Sequence, residues 1–175
     1  MDDIKRLMTQ EIPRLRRYAL TLSSDIGKAD DLVQDCLEHA IRKRGQLKKA
    51  GSIRAWMFRI LYTRFINEEK RHRNSRAHVP IDDAEHLLSV RPQQEVTQNC
   101  REIIAAFQKL PDEQRAVLAM TVVEGFSYDE IALTLDVPIG TVRSRLSRAR
   151  ETLRTLYQPD DEEIPATVTS LKRVK

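Results

Sequence analysis

Residues 127–148 read SYDEIALTLDVPIGTVRSRLSR, and this stretch decides the fold. Ser127 and Glu130 have the spacing of a capping box, in which each side chain accepts a hydrogen bond from the other residue's backbone amide. This box predicts a short helix over 128–135. Residues 136–140 then interrupt the helical periodicity, and Thr141 is expected to cap a basic helix that runs to about Leu156. A short helix, a turn and a basic helix form the helix-turn-helix arrangement.

The apolar residues of this stretch can fill the space between its two helices. They are Ile131, Ala132, Leu135, Val137, Ile139, Val142 and Leu146. Gly140 is expected to permit a backbone geometry that a side chain would hinder. With the apolar face so occupied, the outer face near the start of the second helix carries Arg143, Ser144, Ser147 and Arg148. Arginine can bridge O6 and N7 of guanine in the major groove, although the same pattern also suits plain packing in a helical bundle.

The remainder of the chain also has helical periodicity, which predicts an all-α protein of two small domains. Apolar residues from Ile4 to Leu22 keep three-and-four spacing, with Pro13 expected to split or kink that helix. Further helices are predicted over about 28–44, over about 52–73, over about 95–109 and from Pro111 to Gly125. The predicted organisation is a first domain over 1–74, a flexible linker over 75–94, a second domain over 95–157 and a flexible tail over 158–175.

The charge is distributed unevenly along the chain, although the net charge of the 175 residues is only +4. Residues 1–74 hold 17 Lys and Arg against 10 Asp and Glu, whereas residues 75–113 hold 4 against 7. Residues 141–154 hold five arginines and one glutamate. Two basic patches on either side of an acidic segment favour a polyanion long enough to touch both, such as a DNA duplex. Two solvated helix faces are the alternative.

The composition excludes several other classes of protein. No window is long and apolar enough for a membrane span, and the N-terminus lacks the apolar core of a signal peptide, so we expect a cytoplasmic protein without membrane insertion. Cys36 and Cys100 lie far apart and are interpreted as buried thiols. No metal site, cofactor, glycine-rich phosphate loop or nucleophile and base set is indicated, which argues against an enzyme and leaves no catalytic residue to name.

Three longer strings carry a resemblance to a known family. Residues 110–115 (LPDEQR), 124–132 (EGFSYDEIA) and 137–150 (VPIGTVRSRLSRAR) closely resemble region 4 of the extracytoplasmic-function (ECF, group IV) sigma factors of bacterial RNA polymerase. Residues 29–35 (ADDLVQD) and 54–61 (RAWMFRIL) resemble region 2 of the same family. The resemblance covers about residues 13–156, with both regions in order and a linker between them.

The resemblance implies a transcription initiation factor that binds core RNA polymerase, through the largest-subunit clamp and the flap, and directs it to promoter DNA. The residues matching the positions that read the -35 element, with their immediate neighbours, are Arg143, Ser144, Arg145, Ser147 and Arg148. The loop 45–53 and the helix after it correspond to the -10 segment, with candidate contacts at Arg54, Trp56, Arg59, Thr63, Arg64, Lys70 and Arg71. The acidic stripe that matches the polymerase-docking helix consists of Asp31, Gln34, Asp35 and Glu38.

At two positions the role implied by the family resemblance does not apply directly to this chain. Many relatives carry Asn where this chain has Thr63, so the -10 preference is expected to differ. Trp56 has the helical spacing of a core residue relative to Ile53 and Ile60, and both a core role and a base-contacting role remain open. The family also implies a partner anti-sigma factor. The competing hypothesis is a sigma-like decoy that binds an anti-sigma factor without binding DNA.

Overall fold

The computed structural model describes residues 2–47, 52–76 and 98–156. Within these ranges the chain forms seven α-helices and one short 3-10 turn at Arg44–Gln46, which confirms the all-α class. Residues 77–94 of the predicted linker and the predicted tail at 158–175 lie outside the described residues. In the described part, no helix is both long and apolar enough to cross a membrane.

The first domain contains helices α1 (Asp2–Ser23), α2 (Ile26–Arg42) and α3 (Ile53–Arg76). The expectation that Pro13 splits α1 is wrong, because a single helix runs through it, while the alternative expectation of a kink stays a prediction. Pro13 lies on the exposed side of α1, where water can bind the carbonyl that loses its helical hydrogen bond. The α1–α2 turn forms as expected, with Ser24 at a φ of 54° and the Asp25 side chain accepting from the Lys28 amide at 2.8 Å.

One face of each of these helices is buried against the others. Leu32, Val33 and Cys36 of α2 lie in one buried apolar cluster with residues of α3 such as Met57 and Ile60. The large side chains of this core with no exposed surface include Leu15, Tyr18, Leu22, Met57, Phe58 and Leu61. Cys36 is buried as predicted, and burial raises the pKa of its thiol to about 12. The side chain of Cys100 lies outside the described residues.

The second domain contains α4 (Gln98–Gln108), α5 (Asp112–Val122), α6 (Tyr128–Leu135) and α7 (Ile139–Leu156). The predicted bounds of α6 are confirmed. Helix α7 begins at Ile139, so Thr141 is not its cap. The Thr141 amide instead donates to the carbonyl of Pro138 at 2.8 Å, as a residue inside the first turn does. The expected role of Gly140 is also wrong, because a Cβ there would meet open space. The left-handed residue of the turn is Asp136, with a φ of 56°.

The two domains pack directly against each other, which the sequence patterns did not predict. Helix α1 contacts α5, and α3 contacts both α5 and α6. Phe126, in the α5–α6 loop, packs on Phe58 of α3 with ring centroids 5.0 Å apart, and Phe58 packs on Tyr18 of α1 at 5.1 Å. The buried core is therefore continuous from one domain to the other.

Candidate nucleic-acid and polymerase interfaces

The capping box at the start of α6 sets the geometry of the helix-turn-helix. The Glu130 amide donates to Ser127 Oγ at 3.2 Å, and the Ser127 amide donates to Glu130 Oε2 at 2.8 Å. The second of these bonds stabilises the ionised carboxylate, so it lowers the pKa of Glu130. Both amides are thus satisfied locally, which fixes the residue at which α6 begins.

The contact between α6 and α7 is apolar, as the spacing predicts. Ile131, Val142 and Ala149 are fully buried, Leu146 is nearly so, and Leu135 is 8% exposed. Packing of these side chains fixes the rotation of α7 about its own axis. This rotation decides which residues the helix presents to solvent.

The outer face of α7 presents four of the five side chains predicted to read the -35 element. Arg143, Ser144, Ser147 and Arg148 are all exposed. Within the described part of the chain, no ion pair or side-chain hydrogen bond engages the guanidinium groups of Arg143 and Arg148. Arg143 and Arg148 are five residues apart, about 7.5 Å along the helix axis. Two unpaired arginines so placed on an exposed helix face can both enter a major groove.

Arg145, the fifth of these residues, has a different environment. Its guanidinium donates to the Glu113 carboxylate at the start of α5, and its side chain is only 17% exposed. It also lies beside the Tyr62 hydroxyl of α3. In this arrangement Arg145 belongs to the contact between the domains rather than to the exposed face of α7.

The predicted polymerase-docking stripe forms one exposed face of α2. Asp31, Gln34, Asp35 and Glu38 are all exposed, while the opposite face of the helix is buried. Gln34 Nε2 donates to Glu38 Oε1 at 3.3 Å, which links two side chains of the stripe one helical turn apart. The stripe is accessible to a basic partner surface.

A groove of about 490 Å³ separates this acidic stripe from the basic face of α3. Asp31 and Asp35 line one side, and the other side is lined by Arg59, Thr63, Arg64 and Arg71 together with Trp56. Arg64 lies between the two, with Nη1 3.9 Å from Asp35 Oδ2 and Nη2 3.0 Å from His39 Nδ1. The sequence patterns place these two faces on separate helices, and the structure brings them to one groove.

The seven candidate -10 residues fall into different environments. Thr63, Lys70 and Arg71 are exposed, Arg59 is exposed but paired with Asp136, and Arg64 is half-buried. Trp56 is only 8% exposed, as a core residue would be. Arg54 is half-buried and donates through Nη2 to the backbone carbonyl of Glu124.

The residues that sequence reasoning missed lie in the α5–α6 loop. Glu124 has a side chain with no exposed surface, and it pairs with Arg17 of α1 through two hydrogen bonds of 2.9 and 3.1 Å. Phe126 carries the Arg54 guanidinium over its ring, with Cζ 4.2 Å from the centroid. The string EGF at 124–126 was the signal from which these residues could have been found. The partners of Glu124 are Arg54 and Arg17, which lie about 70 and 107 residues away in sequence, so no local pattern marks the contact.

Comparison with known proteins supports a two-region organisation. The family described as "Sigma-70, region 4" matches residues 100–153, and the family described as "Sigma2 domain of PhyR" matches residues 8–62. The chain is 31% identical over 166 residues to the ECF RNA polymerase sigma factor EcfG of Rhodopseudomonas palustris, covering 93% of this chain and 89% of that protein. It is 28% identical over 148 residues to the ECF RNA polymerase sigma-E factor of Escherichia coli, covering 76% and 75%.

Two solved structures are similar to the fold described above. The sigma factor RpoE of Bartonella quintana, in complex with the anti-sigma factor NepR, aligns with a TM-score of 0.72 and 33% identity, covering 89% of this chain and 97% of that one. The anti-anti-sigma factor PhyR of the same organism, also in complex with NepR, aligns with a TM-score of 0.61 over 86% of this chain and 49% of that one. At 16% identity, PhyR shares the fold alone. The two matched regions, the identity to EcfG and the exposed basic face of α7 together show that this chain belongs to the extracytoplasmic-function family of RNA polymerase sigma factors.

Proposed function

We propose that this chain binds core RNA polymerase and directs it to promoters with specific -10 and -35 elements, as a sigma factor under anti-sigma control. The observation that carries the proposal is the face of α7, where Arg143, Ser144, Ser147 and Arg148 are exposed on a helix that its buried side holds in place. Arginine and serine at the start of a recognition helix supply the donors that base edges in the major groove require.

The proposal assigns three surfaces. The outer face of α7, with Arg145 once it is released from Glu113, reads the -35 element. The basic face of α3 holds the -10 strand, through Arg54, Arg59, Thr63, Arg64, Lys70 and Arg71, with Trp56 supporting the wall of the groove. The acidic stripe of α2 docks on core polymerase. In this proposal, residues 1–74 and 95–157 are the two binding domains, and residues 75–94 are the linker between them. The protein acts in the cytoplasm by binding to polymerase and DNA, and none of the three surfaces is assigned a catalytic step.

Anti-sigma control is supported by the solved relatives. RpoE of Bartonella quintana is bound to the anti-sigma factor NepR, and its fold aligns with nearly the whole of this chain. A protein that covers the α2 and α3 faces would compete with core polymerase for the same surfaces. We infer that this chain also has an anti-sigma partner.

A second candidate is a sigma-like decoy, and one observation favours it. The family matched by residues 8–62 is the sigma2 domain of PhyR, and PhyR is an anti-anti-sigma factor. A decoy needs the docking faces of the fold but has no use for exposed, unpaired arginines on α7. The exposure of Arg143 and Arg148 therefore favours the sigma factor.

Binding to purified core polymerase separates the two candidates. Labelled chain is titrated with core enzyme and, in parallel, with NepR of Bartonella quintana, and the core complex is used to select from a pool of random-sequence duplexes. A sigma factor forms the core complex and enriches a shared sequence that the Arg143→Ala variant does not enrich. Binding to NepR without binding to core polymerase would instead establish the decoy.

A further inference from the structure

A second groove, which we call the interdomain groove, lies between α3 and α7 and shares no lining residue with the groove beside α2. Its volume of about 530 Å³ is within the range of about 300–1,000 Å³ that is typical of small-ligand sites. Helix α3 lines it with Lys70 and Arg73, and α7 lines it with Ser144, Arg145 and Arg148. Residues 111–114, at the start of α5, also line it. The size of this groove suits a small molecule.

The lining of the interdomain groove carries more positive than negative charge. It holds four cationic side chains against the two carboxylates of Asp112 and Glu113, a formal charge of +2. Both carboxylates already have arginine partners. Asp112 accepts from Arg73 and, at 3.0 Å, from Arg115, while Glu113 accepts from Arg145. The excess positive charge therefore belongs to the other two cations, Lys70 and Arg148.

Lys70 and Arg148 are exposed side chains without a counter-charge. Within residues 2–47, 52–76 and 98–156, no ion pair or side-chain hydrogen bond engages either of them. Because one lies on α3 and the other on α7, the fold brings two unpaired like charges to one small groove. An anion bound between them would replace their mutual repulsion with two attractions. The Thr141 hydroxyl, which also lines the groove, can donate a further hydrogen bond to that anion.

These groups define the chemical class of the ligand. Two cations on different helices require an anion with at least two negative charges that is long enough to touch both. A chain of two or three phosphates meets this requirement, because an arginine binds phosphate oxygens through its planar fork and a lysine binds them as a point charge. Ile66 and Pro111 line the same groove and offer a small apolar wall against which the base of a nucleotide can pack.

We propose that the interdomain groove is a binding site for a short polyphosphate, either free or carried by a nucleotide, held between Lys70 of α3 and Arg148 of α7. The binding itself needs neither polymerase nor a promoter. Its consequence rests on the proposed function. Arg148 and Ser144 are assigned there to the -35 element, so the ligand competes with promoter DNA for the same side chains.

Each of the two helices offers a matched control. Arg71 is the residue after Lys70 on α3, but it lines the groove beside α2. Arg143 lies on the exposed face of α7 and is not part of the interdomain lining. Substitution of any of these four residues by Gln removes one exposed positive charge, and only Lys70→Gln and Arg148→Gln remove it from the proposed site.

The first experiment is a calorimetric titration of the full chain with tripolyphosphate, without magnesium and at about 0.15 M salt, where contacts between distant exposed charges are screened. We expect one ligand per chain. Lys70→Gln and Arg148→Gln should each weaken binding about 10-fold, as the loss of one charge-assisted hydrogen bond implies. Arg71→Gln and Arg143→Gln should match the wild type. An equal loss in all four variants, or no binding with a Kd below about 1 mM, would overturn the site.

The same titration with ATP distinguishes the two sources of the phosphate chain. Tighter binding of ATP than of tripolyphosphate would support the site and show that the base packs on the wall formed by Ile66 and Pro111. Equal binding of the two would support the site with a free polyphosphate as its ligand. Failure of both to bind would overturn it.

The second experiment tests competition with DNA. The duplex that the core complex enriches is titrated with that complex, with and without tripolyphosphate at ten times its Kd, and potassium chloride keeps the ionic strength equal. A competitor at this concentration raises the apparent Kd for DNA about 10-fold, and only about 2-fold in Lys70→Gln, whose ligand affinity is 10-fold lower. The same rise in the wild type and in Lys70→Gln would show that the ligand acts elsewhere and would overturn the proposal.

Failure of the proposed function has a different signature. In that case no duplex is enriched and the competition cannot be observed, while the calorimetric comparison of Lys70→Gln and Arg148→Gln with Arg71→Gln and Arg143→Gln still decides whether the site exists.

Discussion

At the scale of single residues, the exposed arginines of α7 are the points where promoter specificity can be tested. Arg143 and Arg148 have free guanidinium groups among the described residues, whereas Arg145 is paired with Glu113. A contact to a base edge discriminates between sequences, whereas a contact to phosphate does not. Substitution separates these two roles.

We expect Arg143→Ala or Arg148→Ala to cost about 1–3 kcal/mol of binding free energy on the matching -35 sequence and to relax specificity there. Competition binding of the polymerase complex to matched and mismatched duplexes measures this. Arg154→Ala is a suitable control, because Arg154 lies near the end of the same helix with a 69% exposed side chain. A loss that is equal on all sequences would show that the residue contacts phosphate only.

The Glu130 carboxylate gives a second prediction at this scale. Its folded pKa is lower than its unfolded one because it accepts from the Ser127 amide, so its contribution to stability is present above the unfolded value of about 4.3. This contribution is lost as the pH falls through the lower, folded pKa. Denaturant titrations should therefore show a smaller loss of stability below about pH 4 for Glu130→Gln than for the wild type. An identical pH dependence for both proteins would rule out this role.

At the scale of the elements, the helix-turn-helix depends on how α6 begins. Because Ser127 supplies the acceptor for the Glu130 amide, we expect Ser127→Ala to lower the free energy of unfolding by about 1 kcal/mol. Ser144→Ala is a useful comparison, because the Ser144 hydroxyl donates to a carbonyl within α7 and caps no helix. Chemical denaturation of the two variants should show a larger loss for Ser127→Ala, and an equal loss would contradict the capping role.

Helix α2 carries a prediction about polymerase docking. Asp31 and Asp35 are exposed, and Asp35 has one distant ion pair with Arg64 at 3.9 Å, so neither carboxylate is central to the core. Asp31→Lys and Asp35→Lys should weaken binding to core polymerase several-fold and leave the melting temperature nearly unchanged. Asp3→Lys makes the same change in charge at an 89% exposed residue of α1 and should not affect binding. A large drop in the melting temperature would show that the stripe is structural.

The sequence predicts an element well where its signals are local. The bounds of α6 follow from a capping box whose two residues lie three positions apart. The start of α7 is missed by three residues: with Thr141 as its cap the helix would begin at Val142, but it begins at Ile139, because the Pro138 carbonyl accepts the first helical bonds. Pro13 is misjudged because the effect of a proline depends on whether its side of the helix is exposed, and composition alone does not reveal this.

At the scale of the whole molecule, the contact between domains is what the sequence could not predict. Periodicity identifies a buried face, but it does not say what covers that face. Arg17 and Glu124 are 107 residues apart, and nothing local marks them as partners. The family resemblance makes Arg54 and Arg59 candidate DNA contacts, and only the packed structure shows them engaged by the other domain.

The same scale explains how a small net charge is compatible with DNA binding. The basic faces of α3 and α7 converge at the interdomain groove, where Asp112 and Glu113 offset part of their charge.

The central claim, that this chain directs core polymerase to promoters through two separate DNA contacts, is tested most directly by sequencing the 5′ ends of transcripts. The template is fragmented genomic DNA of the bacterium that encodes the chain, transcribed by core enzyme with and without it. We predict discrete start sites that require the chain, with one shared sequence element near -10 and another near -35. An absence of start sites above those of core enzyme alone would contradict the account.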